Sequence, residues 1–462
     1  MDENAWKSAA LSRRKNGYDR LPAGDRPAMD AYADAYRAFL DASKTERCCV
    51  KESIRLAEER GFRPYQRGGP LKPGDKIYSV NRGKMLLLAV IGEQSLAAGA
   101  QIAAAHADCP RLDLKPVPLY EDSELAFLKT HYYGGMRKHQ WTAIPLELRG
   151  VVVLRSGETR EIALGAGPGE PKLVITDLLP HLSHEQDKKI LREAFTGENL
   201  NVLVGSVPLV GEDKDRVKLG VLKLLYERYG ITEDDFISAE LEAVPAFNAC
   251  EIGLDGSMIG AYGQDDRVCG YAALRALLDL DGCPVKTAVC VLADKEETGS
   301  NGVTGMQTAA FDTFMEDLCQ TQNVPLRVCL ENSFCLSADV TAAFDPNFPE
   351  VFEKRNTARL NYGPGVCKYT GSGGKKNTSD ASAEAMAYIR RIFDENNIVW
   401  QTSELGAVDA GGGGTVAKFM ANRNITTLDA GVPVLAMHAP FEITSKLDCY
   451  MTYLAMQTVY EN

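Results

Sequence analysis

Thr287-Ala288-Val289-Cys290-Val291-Leu292-Ala293 is a run of seven small and aliphatic residues, and Asp294-Lys295-Glu296-Glu297-Thr298-Gly299-Ser300 follows it directly. The run is short and rich in β-branched residues, so it reads as a buried strand. It ends in charge. Two neighbouring carboxylates repel each other and resist joint burial unless a cation lies beside them. A divalent metal meets that need: one carboxylate can bind it while the other takes a proton from the water it activates. A Glu-Glu pair is ordinarily a solvated turn. The reading of Glu296 and Glu297 therefore rests on what surrounds them.

Outward from this strand the pattern alternates. Helices are expected over Pro27–Ser43 and Thr45–Arg60, the second stopped by Gly61 as a C-cap. Lys76–Val80, Met85–Gly92 and Gln101–His106 are aliphatic runs that read as buried strands. Downstream, helices are expected over Val268–Asp279, Ser382–Asn396 and Leu447–Tyr460, and a further strand over Leu326–Leu330. Such alternation predicts an α/β domain with a largely parallel sheet. Residues 137–243 differ in texture. Strands are expected over Ile144–Leu154, Lys172–Ile175 and Asn201–Leu209, separated by glycine-rich and charged loops, so this region reads as a β-rich insertion. Gly411-Gly412-Gly413-Gly414 reads as a tight turn or a helix start approached by backbone or ligand.

A chain of 462 residues exceeds one compact core, so two domains are expected. Its 45% apolar and 25% charged content is that of a soluble globular protein. A net charge of -12 without a Lys/Arg-rich run argues against nucleic acid or an anionic membrane as partner. The stretch Met1–Lys7 is polar and is expected to be no signal peptide, and no run is long and apolar enough to span a bilayer. The twelve cysteines form no CxxC pair and read as reduced, mostly buried residues, which makes a cytoplasmic location the expectation.

In α/β sheets ligands bind beyond the carboxyl ends of the strands. Five places there carry residues able to bind metal. His106 and Asp108 end one strand, with a spacing that puts both side chains on one face. Asp265 precedes a helix, beside a second aspartate that one cap would not need. Glu296 and Glu297 end the opening strand. Asp339 follows a small-residue stretch, and His438 closes the apolar run Val432–Met437. Each alone is weak. Together they supply two imidazoles, three carboxylates and a spare glutamate, a set suited to two metal ions bridged by a carboxylate and a water. Histidine and carboxylate without cysteine favours zinc, with manganese or cobalt also fitting.

His106-Ala107-Asp108-Cys109-Pro110-Arg111-Leu112, Tyr133-Gly134-Gly135, Glu296-Glu297-Thr298-Gly299-Ser300, Ser337-Ala338-Asp339, Gly363-Pro364-Gly365-Val366-Cys367-Lys368 and Met437-His438 occur in that order. In these motifs the chain resembles the aspartyl aminopeptidase family of co-catalytic zinc aminopeptidases, its bacterial members in particular. The resemblance implies two divalent metal ions per chain, held by His106, Asp265, Glu297, Asp339 and His438, with Asp265 bridging. It implies Glu296 as general base and Asp108 as the residue orienting His106.

The fold implied is a zinc-peptidase-like mixed sheet flanked by helices, with a smaller inserted β-rich dimerisation domain. The catalytic domain would then comprise 1–136 and 244–462, and the insertion 137–243. Peptides are the implied substrates, and N-terminal Asp or Glu the favoured residues. The implied assembly is a dimer-based tetrahedral dodecamer in which His181, or else His184, enters a neighbour's site. Lys368 matches the family's lysine near the acidic substrate side chain. Its two companions are absent: Ala342 stands where a histidine is expected and Lys375 where a tyrosine is expected. The alternatives are a two-metal carboxypeptidase or amide deacylase on the same domain, or a catalytically silent assembly protein.

Overall fold

Val289 and Val291 face one side of a nine-stranded mixed sheet, and Cys290 and Leu292 face the other. The computed structural model describes residues 10, 11 and 14–462, so the stretch Met1–Lys7 lies outside them. Side chains along a strand alternate between faces, so a strand buried on both sides is apolar throughout. Thr287–Ala293, Ala100–His106 and Met85–Val90 are buried at every position for that reason. One face packs on helices Arg26–Ala42, Gln264–Leu278 and Lys446–Glu461, the other on Ala310–Thr321 and Ala417–Ala421.

Four strands at the centre of this sheet run parallel, in the order Thr287–Ala293, Ala100–His106, Phe334–Ser337, Thr426–Gly431. Ala293 pairs with His106, and Ser337 with Ala104, so their carboxyl ends form one edge. Antiparallel strands flank them, which makes the sheet mixed. Leu326–Leu330 is helical, Leu326–Glu331, where a strand was expected. A short apolar run has no periodicity to separate the two, and Pro325, at φ -65°, starts a helix readily. The strand is Phe334–Ser337, just after it.

A second, six-stranded antiparallel sheet is drawn from residues between Arg111 and Pro245 and has its own core around Trp141, Leu148 and Val202. It begins upstream of the boundary expected at residue 137. Arg111–Asp122 and Leu125–Tyr133 leave the main sheet immediately after His106 and form a hairpin. Its two-residue turn, Ser123-Glu124, has positive φ at both positions, the geometry that matches strand twist. Lys172–Ile175 contributes isolated bridges instead of a full strand.

Arg111 joins the two sheets in a buried charge cluster, 3.2 Å from Glu242 and 3.6 Å from Glu46, which also meets Lys84 at 3.3 Å. A third, five-stranded sheet includes Pro433–Leu435 and Glu442–Ser445, on either side of His438. Among the described residues, no helix is long and apolar enough to cross a membrane.

Candidate metal centre

His106 is the last residue of its strand, and its backbone N–H donates to Asp266 at 3.2 Å. Its imidazole Nδ1 lies 3.0 Å from the Asp108 carbonyl and 3.3 Å from that residue's carboxylate. Nε2 is thereby turned outward. Asp108 is fully buried and held on several sides: Tyr133 donates its hydroxyl at 2.7 Å, and the N–H groups of Glu296 and Glu297 donate at 3.1 and 3.2 Å. One carboxylate thus orients a histidine and fixes the turn that carries both glutamates.

Asp265 lies at the start of the helix packed on the His106 strand, after Gly263 at φ +74°. The Asp265-Asp266 peptide is cis. Its carboxylate faces two imidazoles, Oδ1 at 3.3 Å from His106 Nε2 and Oδ2 at 3.0 Å from His438 Nε2. Asp339 comes within 3.8 Å of His106 Nε2, and Glu297 within 3.7 Å of His438 Nε2. His438 is aimed by its Nδ1, which lies 2.5 Å from the Gly135 carbonyl.

All five expected ligands and Glu296 are therefore in one cluster. Three overlapping groups bring ligand atoms within 4.8 Å of one another: His106, Glu296 and Asp339; His106, Asp265 and Glu297; and Asp265, Asp266 and Asp339.

The cluster is short of positive charge. Burial pushes Glu296 up to about 7, and burial with Asp265 nearby pushes Glu297 well above the ordinary carboxylate range. Burial, with Glu296 adding to it, does the same to Asp339. Burial disfavours charge on His438, but Asp265 and Glu297 overcome it and raise the imidazole to about 10. Among the described residues, Oδ1 of Asp265 and Oε1 of Glu297 are buried without a hydrogen-bond partner. Buried anionic oxygens with no donor are what a divalent cation satisfies, and two imidazoles among carboxylates suit zinc. The residues present fit that metal.

Two supporting groups, to which the sequence assigns no role, join the cluster. Glu442 accepts from the backbone N–H of His438 at 2.7 Å and of Asp265 at 3.1 Å, tying two of the expected ligands together. Its proximity in sequence to His438 was the only pointer. Tyr133, the last residue of Leu125–Tyr133 in the second sheet, acts on the cluster through Asp108.

A cavity of about 630 Å³ opens onto these residues, walled by Gly412, Gly413 and Gly414, Thr370 and Phe419. The glycine run therefore does border a ligand-sized space. Lys368 is absent from that wall. It is exposed and lines a separate cavity with Arg14, Arg390 and Trp400. His181 and His184 are exposed and also lie away from the cavity of their own chain.

The family model described as Aminopeptidase I zinc metalloprotease (M18) matches residues 39–460. The chain belongs to the M18 family. As an M18 protein it is a zinc-dependent aminopeptidase. A protein of Borrelia garinii subsp. bavariensis named "Probable M18 family aminopeptidase 1" is 45% identical, over 97% of this chain and 100% of that one. The crystal structure of an M18 family aminopeptidase from Thermotoga maritima superposes with a TM-score of 0.93 at 43% identity, covering 98% of this chain and 100% of that one. The S. cerevisiae mApe1 dodecamer shares the fold at 20% identity, with a TM-score of 0.77 over 94% and 97% of the two chains.

Proposed function

We propose that this M18 chain removes N-terminal residues from peptides at a two-metal centre held by His106, Asp265, Glu297, Asp339 and His438. The observation that carries the two-ion reading is Asp265, whose two carboxylate oxygens face two separate imidazoles at 3.3 and 3.0 Å. A carboxylate so placed suits a bridge between two ions. Zinc, when bound, supplies a Lewis acid for the scissile carbonyl and lowers the pKa of water to about 7.

The chain's own groups do the rest. Glu296 takes the proton of the attacking water on its carboxylate and passes it to the leaving amine. Asp108 keeps His106 aligned through Nδ1, and Glu442 holds the backbones of Asp265 and His438 together. The buried setting of these groups strengthens each electrostatic contact.

A homo-oligomer belongs to the proposal, with dodecamers of the related fold as its model. In it His181 of one copy would donate a hydrogen bond to the oxyanion in a neighbour. The loop around His181 exposes Leu178, Leu179 and Leu182, apolar surface that another copy could cover. A reducing, cytoplasmic setting is also proposed, and all twelve cysteines are free. An N-terminal Asp or Glu would need a cation in the cavity other than Lys368.

Zinc analysis of the purified protein is expected to give about two ions per chain. Glu296→Gln is expected to keep that zinc while losing at least about 100-fold in turnover. One tightly held ion per chain would overturn the two-metal reading, and a Gln variant near the wild-type rate would remove Glu296 from the base role.

A further inference from the structure

Among the described residues, Lys418 is the one Lys or Arg lining the 630 Å³ cavity, whose other charged walls include Asp265, Glu296, Glu297, Asp339 and Asp429. A flexible ammonium among carboxylates would ordinarily pair with one of them. Among the described residues, no carboxylate lies within 4.0 Å of its Nζ. The side chain is half-buried, with Nζ 4.8 Å from the Phe419 ring centroid and beside Gly414. A Cβ built on Gly414 would lie in ordinary contact with that nitrogen at 3.5 Å, so the glycine leaves this flank of the ammonium uncovered. Phe419 and the Gly412–Gly414 segment thus hold a cation on the wall of the cavity that the ligand cluster also lines, without neutralising it.

We infer that Lys418 binds a carboxylate of the peptide and so sets which peptides are cleaved. The inference rests on the aminopeptidase reading above. Two substrate groups carry that chemistry: an acidic side chain on the N-terminal residue, or the C-terminal carboxylate of a very short peptide. A charge-assisted hydrogen bond in a sheltered site is strong enough to dominate such a choice.

The test measures kcat/KM for two matched pairs on zinc-loaded wild type, Lys418→Met and Lys418→Arg. Leu-Leu against Leu-Leu-amide reports the C-terminal carboxylate. Glu-Leu-amide against Gln-Leu-amide reports the side chain. In Lys418→Met one ratio is expected to fall about 10-fold, mostly through KM, and Lys418→Arg is expected to restore most of it. A fall in the first ratio assigns the C-terminal carboxylate; a fall in the second assigns the acidic residue. Ratios unchanged within about twofold in both pairs overturn the inference while leaving the aminopeptidase reading intact. If wild type cleaves none of the four substrates, that reading fails, and this inference with it.

Discussion

Asp108 accepts three hydrogen bonds and aligns His106, so at the scale of single residues it is the point through which other groups reach the proposed metal ligands. Tyr133 supplies one of those bonds from outside the main sheet, and its ring lies 3.8 Å below the Arg111 guanidinium. Replacing Tyr133 by Phe keeps the ring and removes only the hydroxyl. Asp108 would then lose its one side-chain hydroxyl donor, and His106 some of its alignment. Partners of this kind typically change metal affinity about 10- to 100-fold when removed. Zinc affinity of Tyr133→Phe, measured by competition with a chelator, is expected to fall within that range while the fold persists. An affinity equal to wild type would mean that Tyr133 does not help hold the site.

Where the strands end matters more than what lies within them. Three of the four parallel strands deliver His106, the Glu296-Glu297 turn and Asp339 to one edge, and the tight crossing behind that edge can be tested at Gly431. A Cβ on Gly431 would stand 1.6 Å from the Asp339 carbonyl oxygen, and that obstacle is backbone. Gly431→Ala must therefore displace the segment carrying the proposed ligand Asp339. Overpacking of this kind costs about 1–3 kcal/mol, so both a lower Tm and lost zinc are expected. A variant that melts like wild type with full zinc would mean that the strand end is more pliant than its packing suggests.

The same edge explains what could be read from the residues. His106, Glu296, Glu297, Asp339 and His438 stand out because each is a charged or imidazole group at the end of an apolar run, and a run's end is a local signal. Leu326–Leu330 misled because five apolar-rich residues carry no period. The six-stranded sheet starts at Arg111 because the chain turns straight from a buried strand into a partly exposed one, with no glycine or proline cluster to mark the change. Lys418 gives no signal in the sequence, since its proposed role depends on which wall of a cavity a short helix faces.

At the scale of the whole molecule, the exposed loop at Leu178–Leu182 and the position of His181 lead to a test that one chain alone cannot satisfy. His181 lies away from its own cavity, so any contribution it makes must go to another copy. His181→Ala and Glu296→Gln are then defects in different sites. On the proposed roles, a subunit lacking His181 still has its base and needs an imidazole from its neighbour. A Glu296→Gln subunit can provide that imidazole although its own site is dead. In a two-fold pair each subunit serves the other, so a mixed pair regains one working site of two. Random mixing makes about half of all pairs mixed, so about a quarter of the sites should work. Each variant is purified alone and assayed. The two are then dissociated, mixed and reassembled, and activity is followed beside the particle mass. Recovery near that fraction is the expected outcome. Reassembly to full mass with no activity beyond the sum of the two variants would show that His181 serves no neighbouring site, while leaving the metal centre's own assignment untouched.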